Sequence, residues 1–196
     1  MNKEDLRNSL IVLSDEQYRN FHLRLQPSRS EVIGVRMGEL RKIAKRLAKE
    51  DWQKYMEALE GTDSYEEKTI AGMSIFYSKS GIDEKMEYCS KILHFIDGWA
   101  VCDSICSTIK LTKEEVPTFW DYTVKCVSSS EEFEARFGFV AMLDLFIDST
   151  HIDEIIGQID HKSFAGYYDS MAAARLIWFC WTSIFPTAAG LSCCAK

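Results

Sequence analysis

Proline is scarce in this chain, with 3 among 196 residues, and glycine is modest at 10. So little punctuation disfavours a turn-rich β fold and favours long helices. No unbroken apolar run reaches the roughly 20 residues that a membrane-spanning helix needs. The longest such run, near Leu176 to Pro186, reads as a buried helix. The opening Met1-Asn2-Lys3-Glu4-Asp5 is charged with no apolar stretch behind it, so no signal peptide is expected. The 7 cysteines include no C-x-x-C pair, and the 4 histidines have no zinc-like spacing. Reduced thiols in a cytoplasmic protein, with no metal and no cofactor, are the expectation. Basic charge is not in excess either. With 23 Lys and Arg against 30 Asp and Glu, the net charge of −7 argues against a generic nucleic-acid binder.

What is present is an ordinary globular composition, 46% hydrophobic and 27% charged. The length suits one domain or a short repeat array. A single domain over residues 1–186 is expected, with residues 187–196 as a truncated or atypical tail. Charge is distributed unevenly. Residues 36–54 hold seven basic side chains (Arg36, Arg41, Lys42, Lys45, Arg46, Lys49, Lys54) against three acids. Residues 131–160 hold eight acids against Arg136 alone among Lys and Arg. A local basic face on an acidic protein can still meet phosphate, because such contacts are short-range in salt.

Nearly every segment reads as helix. Ser14-Asp15-Glu16-Gln17 has capping-box spacing, and Tyr18, Phe21 and Leu25 follow at helical intervals. Residues 26–30 read as a loop and Val32-Ile33-Gly34-Val35 as a short extended piece. Between Gly38 and Lys49, Leu40, Ile43, Ala44, Leu47 and Ala48 form a core-facing stripe, while Arg41, Lys45 and Lys49 line another face. A solvated face and a phosphate-contacting face are equally good readings of those three cations. Further helices are expected from Asp51, from the capping box at Ser64, and over Asp83 to Phe95, Trp99 to Ile109, Glu114 to Val127, Glu131 to Ile147, Thr150 to Ile159 and Ala165 to about Phe185. Glu66 and Glu67 are most simply capping residues.

The stretch Asp97-Gly98-Trp99-Ala100-Val101-Cys102-Asp103-Ser104 stands apart. A glycine breaks the preceding run, and a helix starting at Trp99 places Trp99 and Asp103 on one face, about 5–6 Å apart at Cβ. An aromatic plane beside a carboxylate can hold a cationic group. A plainer reading makes Asp103 an acid favoured by the helix dipole and Trp99 a core aromatic. Arg136 follows Trp99 by 37 residues, and Arg175 follows Arg136 by 39, each in the second helix of a pair. Two helices per roughly 40 residues is the spacing of HEAT or armadillo repeats, so a right-handed all-α solenoid of antiparallel HEAT-like helix pairs is expected.

Five segments together, from about Ser14 to Leu176, resemble the DNA alkylation repair (AlkD-like) family. They are Gly34-Val35-Arg36 with Glu39-Leu40-Arg41-Lys42, then Glu66-Glu67-Lys68, Gly98 to Ser104, Phe133-Glu134-Ala135-Arg136-Phe137, and Tyr167-Tyr168 with Met171-Ala172. The resemblance implies a stack of HEAT-like repeats whose concave face cradles duplex DNA. It also implies a glycosylase that removes positively charged N-alkylated purines such as 3-methyladenine and 7-methylguanine. By position, Trp99 resembles a wall residue against the lesion's deoxyribose, Asp103 the catalytic carboxylate, and Arg136 an arginine gripping the backbone. Arg36, Arg41, Lys45, Lys49 and Arg175 are the further candidate DNA contacts.

This chain departs from the family pattern in three places. Arg175 stands where glycosylase members typically carry a second Trp, so it removes an aromatic wall and adds a cation. The proline usual after the Val-Arg pair is replaced by Met37-Gly38. The last twenty residues do not resemble the family, which suggests an uncapped apolar edge through which chains could associate, although a monomer is expected. Two functional classes follow. One is a monofunctional glycosylase, favoured by the Trp99, Asp103 and Arg136 set. The other is a catalytically weak or silent module binding DNA or protein, favoured by Arg175 and the net charge.

Overall fold

A computed structural model describes residues 2–25 and 30–184. Among the described residues there are eleven α-helices and no strand. In order they are α1 (Lys3–Val12), α2 (Glu16–Leu25), α3 (Met37–Leu47), α4 (Trp52–Glu57), α5 (Tyr65–Tyr77), α6 (Ile82–Leu93), α7 (Trp99–Cys106), α8 (Val116–Val127), α9 (Glu132–Leu145), α10 (Ile152–Asp160) and α11 (Tyr167–Ile184). No described helix is long and apolar enough to cross a membrane. The expected tail at 187–196, and positions 26–29 of the expected loop, lie outside the described residues. The chain divides into two compact units, Met1–Phe119 and Trp120–Lys196, with the division falling inside α8.

In the first unit α5 is the hub, packed against α3, α4, α6 and α7. Every residue from Tyr65 to Phe76 is buried, so this helix has no solvent face. Its first turn carries three adjacent charged side chains, Glu66, Glu67 and Lys68, each with almost no exposure. Charges are buried only when paired or hydrogen-bonded, and these three reach three different places.

Glu67 closes the capping box with Ser64 and also accepts from Arg7 of α1 at 2.8 Å. Glu66 does not cap. Its carboxylate accepts from the backbone N–H groups of Ile33 (3.0 Å), Gly34 (2.7 Å) and Val35 (3.2 Å). This binds the extended stretch before α3 to α5. Gly34 has φ +99°, and a Cβ there would lie 2.7 Å from the Asp15 carbonyl, so only glycine suits the turn. Lys68 donates to the Ser30 hydroxyl at 2.6 Å.

Two local expectations differ in detail. The start of α2 is capped by Asp15, whose carboxylate accepts from the Tyr18 N–H at 3.0 Å, one position later than the Ser14 box. Helix α1 has only Leu6 and Leu10 buried, too sparse a stripe to announce itself by periodicity. It is held by side chains: Arg7 pairs with Glu67 and Glu31, and Lys3 with Asp63 at 2.8 Å.

His22 of α2 is buried against the Tyr65 ring, 4.2 Å between centroids, and its Nε2 has no hydrogen-bond partner. Burial pushes its pKa down, with Glu66 opposing. The folded protein therefore takes up a proton on His22 at lower pH than the unfolded chain, which protonates it near pH 6.5. Stability from this residue is present above that pH and is lost on acidification, with a slope approaching about 1.4 kcal/mol per pH unit. Thermal melts from pH 8 to pH 5 are expected to show a shallower acid limb in His22→Phe than in wild type. Equal slopes would remove this residue from the acid limb.

In the second unit α9 packs on α11, and α10 also touches α11. Residues Ala135 to Met142 are all buried. At Gly138 the backbone of α9 meets α8 closely: an added Cβ would lie 2.7 Å from the Val127 nitrogen and 2.8 Å from the Thr123 oxygen. Backbone cannot move aside as a side chain does, so Gly138→Ala is expected to cost about 1–3 kcal/mol in urea denaturation, despite alanine's better helix propensity. A gain in stability would show that the helices can part cheaply.

The C-terminal half of α11 corrects one expectation. The apolar run from Leu176 reads as buried, yet among its described side chains only Leu176 and Cys180 are. Ile177, Trp178, Phe179 and Trp181 are exposed, Trp178 at 65%.

Candidate functional site

Helix α7 begins at Trp99 after an extended Gly98, which has no side-chain cap. Val101, Cys102, Ile105 and Cys106 form its buried face. Trp99 and Asp103 are half-buried on another side, one turn apart. The thiols beneath are inert packing groups. Cys106 is pushed well above the ordinary range, chiefly by burial, with Cys102 and Asp103 adding to the effect. The first unit thus presents an aromatic and a carboxylate on a rigid apolar base.

Two neighbours frame that helix. Arg41 of α3 donates to the Tyr77 hydroxyl of α5 (3.1 Å) and to Ser107 Oγ (2.9 Å). Ser107 is the C-cap of α7, one turn beyond Asp103, so a guanidinium is moored at the end of the helix that carries the carboxylate. Tyr65 has a side-chain hydrogen bond with Ser104, and burial raises its hydroxyl pKa well above the usual value. Sequence reasoning missed Tyr65, Tyr77 and Ser107, because nothing in their spacing ties them to residues 99–103.

The other candidate cations of the first unit are on or near α3. Arg36, its N-cap, is 67% exposed at the side chain and pairs with Asp15 at 2.7 Å. Its guanidinium lies 5.3 Å from the Tyr18 ring centroid. The Tyr18 amide and then Arg36 hold Asp15 below the usual carboxylate range. Lys45 is exposed, its ammonium 5.2 Å from the Tyr77 ring centroid. Lys49 is exposed beyond the end of α3.

The two remaining candidates belong to the second unit. Arg136 of α9 is 2% exposed and donates to the Tyr168 carbonyl at 2.9 Å. Glu132, its neighbour one turn earlier, accepts from the Tyr168 N–H at 2.6 Å. Buried Asp169 accepts from the Ala165 and Gly166 amides at 2.7 and 3.0 Å. Together these side chains build the entry to α11, and Phe133 stacks on Tyr168 at 5.4 Å. Arg175 is exposed on α11, its guanidinium 5.9 Å from the Phe179 ring centroid. A cavity of about 460 Å³ opens between the α8–α9 turn and the α10–α11 loop, lined in part by Ser129, Gln158 and Lys162. It holds none of the candidate residues. No metal-binding cluster exists among the described residues.

A sequence model of the family described as DNA alkylation repair enzyme matches residues 6–163, well over half of the chain and spanning Trp99, Asp103 and Arg136 but not Arg175. No curated protein and no solved structure gives a significant match.

Proposed function

The chain belongs to the DNA alkylation repair enzyme family, and from that premise we propose that it is a DNA glycosylase releasing positively charged N-alkylpurines, of the 3-methyladenine and 7-methylguanine type, from duplex DNA. We read its helices as HEAT-like repeats of an α-solenoid. The observation that carries the reading is α7: an aromatic and a carboxylate one turn apart, half-buried over an apolar base, on a helix moored by Arg41.

The chemistry asks little of the protein. An N3- or N7-alkylated purine already bears positive charge and leaves without a general acid. Breaking the N-glycosidic bond develops oxocarbenium character at the sugar, which a fixed carboxylate stabilises. In this reading Asp103 provides that charge and orients the water that adds to C1′. Trp99 supplies an apolar wall and a cation–π contribution. Arg36, Arg41, Lys45 and Lys49 give the first unit phosphate contacts, which are worth most at low salt. The exposed Arg175 is assigned a phosphate contact as well. Arg136, buried and bonded to Tyr168, enters as the residue that fixes the start of α11.

One observation favours a second reading. Arg175 presents a cation where glycosylase members typically carry an aromatic wall, which suits a module that binds DNA without efficient chemistry. Base release from methylated duplex DNA decides between them. Wild type is expected to release alkylpurine, and Arg175→Trp to raise the rate about two- to fivefold, the worth of an exposed cation–π contact. Because Arg175 is exposed, that change should leave stability within about 0.5 kcal/mol. No release, with salt-sensitive duplex binding retained, supports the binding module. No duplex binding at low salt sinks both.

A further inference from the structure

We propose that Lys68 is a positioning residue for the Trp99 and Asp103 helix, acting through a directed chain from its ammonium to the Ser30 hydroxyl to the Asp97 carboxylate. Lys68 Nζ donates to Ser30 Oγ at 2.6 Å, and Ser30 Oγ donates in turn to Asp97 Oδ2 at 2.8 Å. The donor sense is consistent at each link: an ammonium can only donate, a hydroxyl can accept while donating its single hydrogen, and a carboxylate oxygen accepts.

The need for such a chain lies in α7 itself. The helix has eight residues, no side-chain cap, no acid in its first turn and no base in its last. A helix that short, with none of the usual terminal signals, does not fix its own start. Asp97 is half-buried immediately before Gly98, the residue at which the backbone turns into α7. Fixing Asp97 fixes where the first turn begins, and so where Trp99 and Asp103 are carried. The fixed point is α5, the hub of the unit. Lys68 is 1% exposed, and burying an ammonium is costly unless it is compensated. A methionine would fill the same space without that cost, so the lysine's contribution is the orientation of its partner.

The brace is a statement about α7; its bearing on base release rests on the reading of Trp99 and Asp103 given above. The test therefore carries two readouts. The chain has 5 tryptophans, and the difference between wild type and Trp99→Phe isolates the emission of Trp99. Lys68→Met and Asp97→Asn are each expected to raise acrylamide quenching of that difference signal at least about twofold. The double variant should show no more than the larger single effect, as for two ends of one chain. In base release, each single variant is expected to lower kcat by about 10- to 100-fold, with KM within about twofold, since a small misplacement of catalytic groups costs on that order. Should Lys68→Met fail to fold, Ser30→Ala and Asp97→Asn, both at half-buried positions, carry the same comparison. Additive effects, or an Asp97→Asn protein with wild-type Trp99 quenching and kcat, would overturn the brace. Coupled changes at Trp99 in a protein whose wild type releases no base would refute the glycosylase reading and leave the brace standing.

Discussion

Asp103→Asn is expected to lower release of 3-methyladenine from methylated duplex DNA by about 100- to 1000-fold, with duplex binding and stability close to wild type. The amide matches the carboxylate in shape, removes its charge and replaces one acceptor oxygen with an NH₂ donor; the charge is what a developing oxocarbenium ion responds to. The loss should fall on kcat, because the charge on the sugar is absent from the ground state. Stability should hold because α7 is anchored by Val101, Cys102, Ile105 and Cys106, all buried, while Asp103 is only half-buried. A drop of less than about tenfold, in a protein that folds and binds as wild type does, takes Asp103 out of the chemistry and leaves it the plainer role of an acid on a helix face.

Glu66→Ala is expected to produce the largest loss of stability of any substitution considered, on the order of 3–5 kcal/mol, because it strands three N–H groups in the interior. The Ile33, Gly34 and Val35 amides all point at this one carboxylate, at 3.0, 2.7 and 3.2 Å. They lie in an extended stretch of which Val32, Ile33 and Val35 are themselves buried, so water cannot replace the lost acceptor without opening the unit. In thermal melts this corresponds to roughly 10 °C or more. Glu66→Gln keeps an acceptor oxygen but turns an NH₂ group toward other donors, and should fall between wild type and alanine. The same stretch leads into Arg36 and α3, so loosened duplex binding should accompany the lost stability. A cost below about 1 kcal/mol would mean that this backbone is satisfied in some other way.

The contrast between these two acids shows what the sequence makes legible. The helix carrying Asp103 is readable because the Asp97-Gly98 break and the apolar spacing are local, and its start at Trp99 agrees with the structure. So is the capping box at Ser64, whose two partners lie three residues apart. Glu66 reads as one more acid at a helix start because its partners lie more than thirty residues earlier; no local rule distinguishes a cap from a carboxylate that holds a distant backbone. Lys68 is hidden for the same reason, reinforced by the expectation that lysines stay in water. Arg136 shows the limit for side chains at a candidate site: its spacing marks it, but its partner is the carbonyl of Tyr168 on another helix. The end of α11 fails in the opposite direction. An apolar run announces that burial is favourable, not that a neighbour exists to provide it.

The three adjacent charges at the start of α5 also govern how the first unit can come apart. Glu66, Glu67 and Lys68 are bound respectively to the 33–35 backbone, to Arg7 of α1, and to Ser30 with Asp97 behind it. A state in which any one of those segments has left strands a dehydrated charge beside two others still in place, at a cost of several kcal/mol. Partial opening is thereby penalised at a single helical turn, and the segments bound to it share one fate. Slow amide exchange in α1, in residues 33–35 and at the head of α7 should then proceed through one common opening rather than through three separate ones. The hub makes the assembly of the first unit cooperative across elements that are far apart in the chain.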